Sequence, residues 1–106
     1  LVGSEMCIRD RSNYVAAKAG IEAMSKTLAR EVGSKNITVN CVAPGFIETD
    51  MLKDLDQDYL KMITGEIPLQ RFGKTEEIAS LVKFLSSDEA NYITGQTVHI
   101  NGGLFM

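Results

Sequence analysis

The 106 residues carry eleven Lys and Arg against fourteen Asp and Glu, for a net charge of -3, and are 44% hydrophobic, which describes an ordinary, mildly acidic globular chain. With no Lys/Arg run, a nucleic-acid groove or an anionic membrane surface is excluded as the main partner. No stretch reaches the roughly 18 uninterrupted apolar residues of a spanning helix, and no signal-peptide order opens the chain, so the expected compartment is cytoplasmic.

From Asn13 to Val32 the sequence is rich in Ala, Leu, Glu, Lys and Met and lacks Pro, which predicts a long helix ending at Gly33-Ser34, where glycine can turn left-handed. At about 100° per residue, Tyr14, Lys18, Ile21, Ser25, Leu28 and Val32 share one stripe, expected to be buried, while Glu22, Lys26 and Arg30 point elsewhere. The β-branched run Ile37–Val42 predicts a strand that Ala43-Pro44-Gly45 ends. Phe46 to Gly73, punctuated at Gly65 and Pro68, predicts short helices inside a long excursion. Thr75, followed by Glu76 and Glu77, predicts an N-cap for a helix running to about Ser86 on an Ile78, Leu81, Val82, Leu85 face. Thr97–Ile100 alternates like a strand, and Asn101-Gly102-Gly103 breaks it.

Helix, strand, excursion, helix, strand is the order of an α/β layer fold with a parallel sheet. Two strands do not close such a core. The chain therefore reads as the C-terminal part of a Rossmann-type doubly wound parallel sheet, an incomplete domain expected to expose an unpaired inner edge and an uncovered helix face.

Tyr14 and Lys18 lie one helical turn apart on the stripe predicted to be buried. The spacing alone is common, and a helix-end tyrosine hydrogen-bonded to its surroundings remains an alternative. In a partly desolvated cleft, the ammonium would lower the phenol pKa from about 10 and let it exchange a proton with a substrate oxygen. The loop Ala43–Asp50 follows a predicted strand, where doubly wound sheets bind ligands. Pro44 stiffens it and Gly45 permits close backbone approach; a plain strand-to-helix turn is the alternative.

Together, Tyr14-x-x-x-Lys18, Ala19-Gly20, Asn40, Pro44-Gly45 and Asn101-Gly102-Gly103 stand in an order and spacing that resemble the C-terminal half of the short-chain dehydrogenase/reductases. Within that family Asn13-Tyr14, Leu28-Ala-Arg-Glu31, Ile37-Thr-Val-Asn40, Val42–Met51, Ser87-Asp-Glu-Ala90 and Tyr92-Ile-Thr-Gly95 are similar to the bacterial 3-oxoacyl-[acyl-carrier-protein] reductase branch. The resemblance implies an oxidoreductase of fatty-acid synthesis that uses NADP(H). Tyr14 would deliver a proton to the 3-oxo group, and Lys18 would bind the ribose hydroxyls and acidify Tyr14. Pro44, Gly45, Ile47 and Thr49 would line the nicotinamide side, with the Ile47 backbone meeting the carboxamide. It implies a homotetramer in the parent protein, and it puts Lys35 where such enzymes face the acidic carrier protein, although a solvated loop lysine is the plain alternative.

Other family features fall outside the sequence. The glycine-rich phosphate loop and the ribose selector would precede Tyr14 by more residues than stand there, and the catalytic serine would fall at Leu1. This chain by itself is therefore expected to be inactive and to bind cofactor weakly. Residues 1–11 look like a translated sequencing adapter, a leader to be set apart from a reductase segment spanning residues 12–106. Alternative functions are a dehydrogenase for another secondary alcohol or sugar, and a non-catalytic fragment that docks on a full-length relative.

Three weaker patterns carry no site. Asp54-x-Asp56-x-Asp58 imitates a calcium loop without its glycine and final glutamate. His99 has no second ligand at metal spacing, so no metal is expected. Cys7 and Cys41 are expected to be reduced and structurally incidental, and the scattered methionines to pack.

Overall fold

The structure is a computed structural model that describes residues 11–105, the side chains of residues 11–14 and of Met51 excepted. Cys7 and the proposed leader therefore lie outside the described residues, apart from the Arg11 backbone. In order come α1 (Arg11–Val32), a 3-10 turn (Gly33–Lys35), β1 (Cys41–Pro44), a 3-10 turn (Asp50–Asp54), α2 (Gln57–Glu66), α3 (Thr75–Leu85), a 3-10 turn (Asp88–Ala90) and β2 (Thr97–Ile100). The architecture is α/β.

The long first helix is present, and its end differs in detail. The chain tightens through Gly33–Lys35, and it is Asn36, at φ 61°, that turns left-handed and donates its N–H to the Gly33 carbonyl at 3.0 Å. Asparagine tolerates this region because its short polar side chain costs it less there than larger ones. The buried stripe is also rotated from the expected one. Ala29 is 5% exposed whereas Leu28 is 44% exposed, and Glu22 is half-buried with Lys18, Ile21, Ser25 and Val32. The helix face is set by what packs on it: the Cys41 thiol donates to the Ser25 hydroxyl at 3.1 Å, and Ala29 lies where a Cβ on Gly95 would meet it at 3.7 Å.

β1 and β2 pair in parallel, with Cys41 opposite Thr97 and Pro44 opposite Ile100. Among the described residues β1 pairs with no other strand. The strand begins later than its β-branched run, because Val39 and Asn40 bond to a loop rather than to a ladder. Val39 donates to Thr94 Oγ1 at 3.0 Å and accepts from the Gly95 N–H at 2.7 Å. The Asn40 amide donates to the Ile93 carbonyl at 3.0 Å and accepts from the Gln96 N–H at 3.1 Å. Cys41, the next residue, turns toward α1 and is buried; by strand alternation Val42 faces the other way, where it lines a cleft with Val82 and Leu85 of α3.

The excursion contains short helices, as its sequence implies. Asp56 caps α2 by accepting the Asp58 N–H at 3.2 Å, so the acidic triplet includes a helix start, and all three carboxylates are exposed. Gly65 does not break the chain but sits in the last turn of α2. The helix stops at Ile67 because Pro68 disfavours helical geometry in the residue before it. Ile67, 2% exposed, anchors the excursion. The N-cap of α3 is Lys74 rather than Thr75, since the Glu77 carboxylate accepts the Lys74 N–H at 2.9 Å.

After β2 the chain folds back on that anchor. Gly102 and Gly103 take φ of 64° and 92°, Asn101 Oδ1 accepts the Gly103 N–H at 2.9 Å, and the Gly102 carbonyl accepts the Leu69 N–H at 3.1 Å. A Cβ on Gly102 would meet Ile67 Cγ2 at 2.8 Å, so the glycine serves both the turn and the close approach. The described core is thin. Val15, Met24 and Leu28 of α1 are exposed at 60%, 67% and 44%, Val15 on the opposite side of the helix from the other two.

Candidate functional site

The loop beyond the carboxyl end of β1 is built from non-local bonds. Gly45 is buried; its N–H donates to the Ile100 carbonyl at 3.0 Å, and a Cβ there would lie 2.7 Å from Asn101 Cβ and 2.9 Å from its Cα. The close approach that requires glycine is thus to the end of β2. Two residues on, Ile47 forms a parallel bridge with Gly73. The Phe46 carbonyl accepts the Gly73 N–H at 2.9 Å, and the Glu48 N–H donates to the Gly73 carbonyl at 2.7 Å. In a parallel bridge the residue between two such bonds turns its own N–H and C=O the other way. Among the described residues nothing bonds to the Ile47 N–H or C=O.

The other residues singled out from sequence are distributed over this region. The Tyr14 backbone is in α1, and its side chain lies outside the described ones. Lys18, one turn on, is half-buried and shares a cavity of about 60 Å³ with Glu22, Pro44, His99, Asn101 and Phe105. Thr49 is exposed, precedes the Asp50–Asp54 turn, and lines a different cleft of about 660 Å³ between that turn, α2 and the start of α3. Ile47 faces a third space of about 90 Å³ with Ile78 and Gly102. Lys18 and Pro44 are thus brought together, while Ile47 and Thr49 line neighbouring spaces. Lys35 is exposed in its 3-10 turn, and His99 is exposed on β2. Cys41 is a free, buried cysteine.

One strong electrostatic feature is absent from the sequence reading. Arg71 donates from Nη1 and Nη2 to the two oxygens of Glu77 at 2.8 and 2.9 Å. The Arg71 hydrogen bonds, followed by the Lys74 N–H, hold the Glu77 carboxyl down at about 2. The available signal was the Glu three residues after Lys74, which has capping-box spacing once the cap is placed one residue earlier.

A parallel β pair, with a glycine-containing loop beyond its carboxyl ends and a lysine of the flanking helix beside that loop, is an α/β layer arrangement. Comparison with known proteins is consistent with this class. The profile of a family described as enoyl-(acyl carrier protein) reductase matches residues 1–105. The chain is 58% identical over 96 residues to a 3-oxoacyl-[acyl-carrier-protein] reductase of Salmonella typhimurium, 57% to one of Escherichia coli K12 and 56% to one of Pseudomonas aeruginosa. Each match covers 91% of this chain and 39% of the relative, so the chain spans about two fifths of the length of the curated relatives it matches. The chain belongs to the short-chain dehydrogenase/reductase family, whose members are nicotinamide-dependent oxidoreductases. No helix among the described residues is long and apolar enough to cross a membrane.

A nicotinamide carboxamide is flat and carries both a donor and an acceptor. Among the described residues the Ile47 N–H and C=O have no partner, and a donor and an acceptor on one backbone edge fit a flat amide of that kind.

Proposed function

We propose that this chain is the C-terminal part of an NADPH-dependent 3-oxoacyl-[acyl-carrier-protein] reductase of fatty-acid synthesis, cytoplasmic and homotetrameric in its parent. The observation that carries the reading is the 56–58% identity to reductases of that name over 96 residues that include Tyr14, Lys18 and the loop after β1. A bound nicotinamide supplies hydride to the 3-oxo carbon. Tyr14 gives its phenolic proton to the oxygen that gains negative charge. Lys18, one turn away, stabilises the phenolate left behind and binds the ribose hydroxyls. Pro44, Gly45, Ile47 and Thr49 hold the nicotinamide side, and the Ile47 N–H and C=O orient the carboxamide. Lys35 contributes positive charge toward an acidic carrier protein. Residues 1–11 form the adapter-derived leader and 12–106 the reductase segment, which DNA sequencing across the Arg11–Ser12 junction tests.

The test of function is a chimera in which residues 12–106 replace the matching segment of the Salmonella typhimurium relative. It should oxidise NADPH with an acetoacetyl carrier thioester, and Tyr14→Phe should reduce turnover by about 10²–10⁴-fold. Lys35→Glu should raise KM for the carrier-bound substrate and leave a short free thioester unchanged. A folded chimera that turns over only sugars or simple secondary alcohols would refute the acyl reading.

A further inference from the structure

The turn that leads into α3 is closed by bonds that have no part in the function above. Besides its two bonds to Glu77, Arg71 Nη1 donates to the Phe72 carbonyl at 3.1 Å. Glu77 Oε1 also accepts the Lys74 N–H at 2.9 Å. A guanidinium fork on a carboxylate fixes direction as well as distance, and these two residues lie on either side of Gly73. Gln70, immediately before them, enters the turn at φ 57°, a conformation unfavourable for a non-glycine residue. The Arg71 and Glu77 side chains are 49% and 40% exposed, a setting in which ion pairs add little to global stability.

The consequence is local. Gly73 donates its N–H to the Phe46 carbonyl and accepts the Glu48 N–H, and the Phe46 and Phe72 rings stack with centroids 5.8 Å apart. The last bond to β2 on this strand is the Gly45 N–H to Ile100. Beyond it, the backbone bonds that hold this strand are those to Gly73, which lies within the turn 71–77.

We propose that Arg71 and Glu77 are positioning residues for the nicotinamide site. The fork closes the turn, the turn seats Gly73, and Gly73 aims the Ile47 N–H and C=O at the carboxamide. This rests on the role given to Ile47 under the proposed function.

The test uses the chimeric reductase, in which cofactor binding and turnover are both measurable. Arg71→Met should weaken NADPH binding about tenfold and leave KM for the acetoacetyl thioester unchanged, as expected when only the aim of a binding group is lost. Amide hydrogen exchange at Gly73 and Glu48 should speed up in that variant while Gly45 exchange stays the same. Arg71→Lys, which keeps the charge and one bond, should fall between, and it serves if Arg71→Met does not fold. Faster exchange with unchanged NADPH affinity would overturn the proposal, as would equal acceleration at Gly45, which marks a merely structural role. A parent chimera that binds NADPH without reducing the thioester would sink the acyl-reductase reading, while the variants' NADPH affinities would still decide this one. A parent chimera that binds no NADPH would overturn both.

Discussion

The two flanks of β1 are held in different ways. Before the strand, Val39 and Asn40 bond to Ile93, Thr94, Gly95 and Gln96, so the backbone and a side-chain amide are engaged together. After it, Phe46 and Glu48 bond to Gly73, and among the described residues the Ile47 peptide groups between them have no partner. Ile47 is half-buried, so its peptide groups are open to solvent or to a ligand. The first flank is tied by side chains as well as backbone, and the second by backbone alone.

Substitutions can break this contrast. The largest expected effect is at Gly45, where alanine would put its Cβ against the Asn101 backbone; overpacking against main chain should cost about 3 kcal/mol in chemical denaturation. Next, Asn40→Ala leaves the Ile93 carbonyl and Gln96 N–H without partners, and should cost about 2 kcal/mol with little change in cofactor affinity. Gly73→Ala should cost about 1 kcal/mol, because its Cβ meets the mobile tip of Ile47 at 2.9 Å and the Phe46 carbonyl at an ordinary 3.7 Å; its mark should be on NADPH affinity. If Asn40→Ala weakened NADPH binding more than Gly73→Ala, the division between the flanks would fail.

The smallest effect is electrostatic. The Glu77 carboxyl is lowered to about 2, below an unfolded-state value of about 4.3, so the pair's contribution is fully present above that value and is lost as pH falls toward 2. A carbon-detected titration of Glu77 should place its midpoint well below about 4.3, near 2. A midpoint near 4.3 would mean that the fork does not persist in solution.

Much of the frame was legible in the sequence: α1, β2, the α3 segment and the breaks at Pro44 and Asn101–Gly103 follow from propensity and turn chemistry. What was not legible depended on distant partners. Leu28 and Ala29 exchange places because the phase of a helix is set by the surface beneath it, here Cys41 and Gly95. Residues 37–40 have strand composition, yet Val39 and Asn40 bond to a loop more than fifty residues away. Asn36 displaced Gly33 as the left-handed residue because the 3-10 turn carried the chain further before it reversed. In the candidate site, the family resemblance had assigned Lys18 and Pro44 to one cofactor, and the two line one cavity. The Arg71–Glu77 fork and the Gly73 bridge were not, since neither is local to the loop it supports.

The contrast between the flanks is tested most directly by amide chemical shifts in the labelled chimera as NADPH is added. The Ile47 N–H should shift and saturate with cofactor while Val39 and Gly45 stay in place. An unmoved Ile47 signal alongside saturable shifts elsewhere would contradict the assignment of this open edge to the nicotinamide.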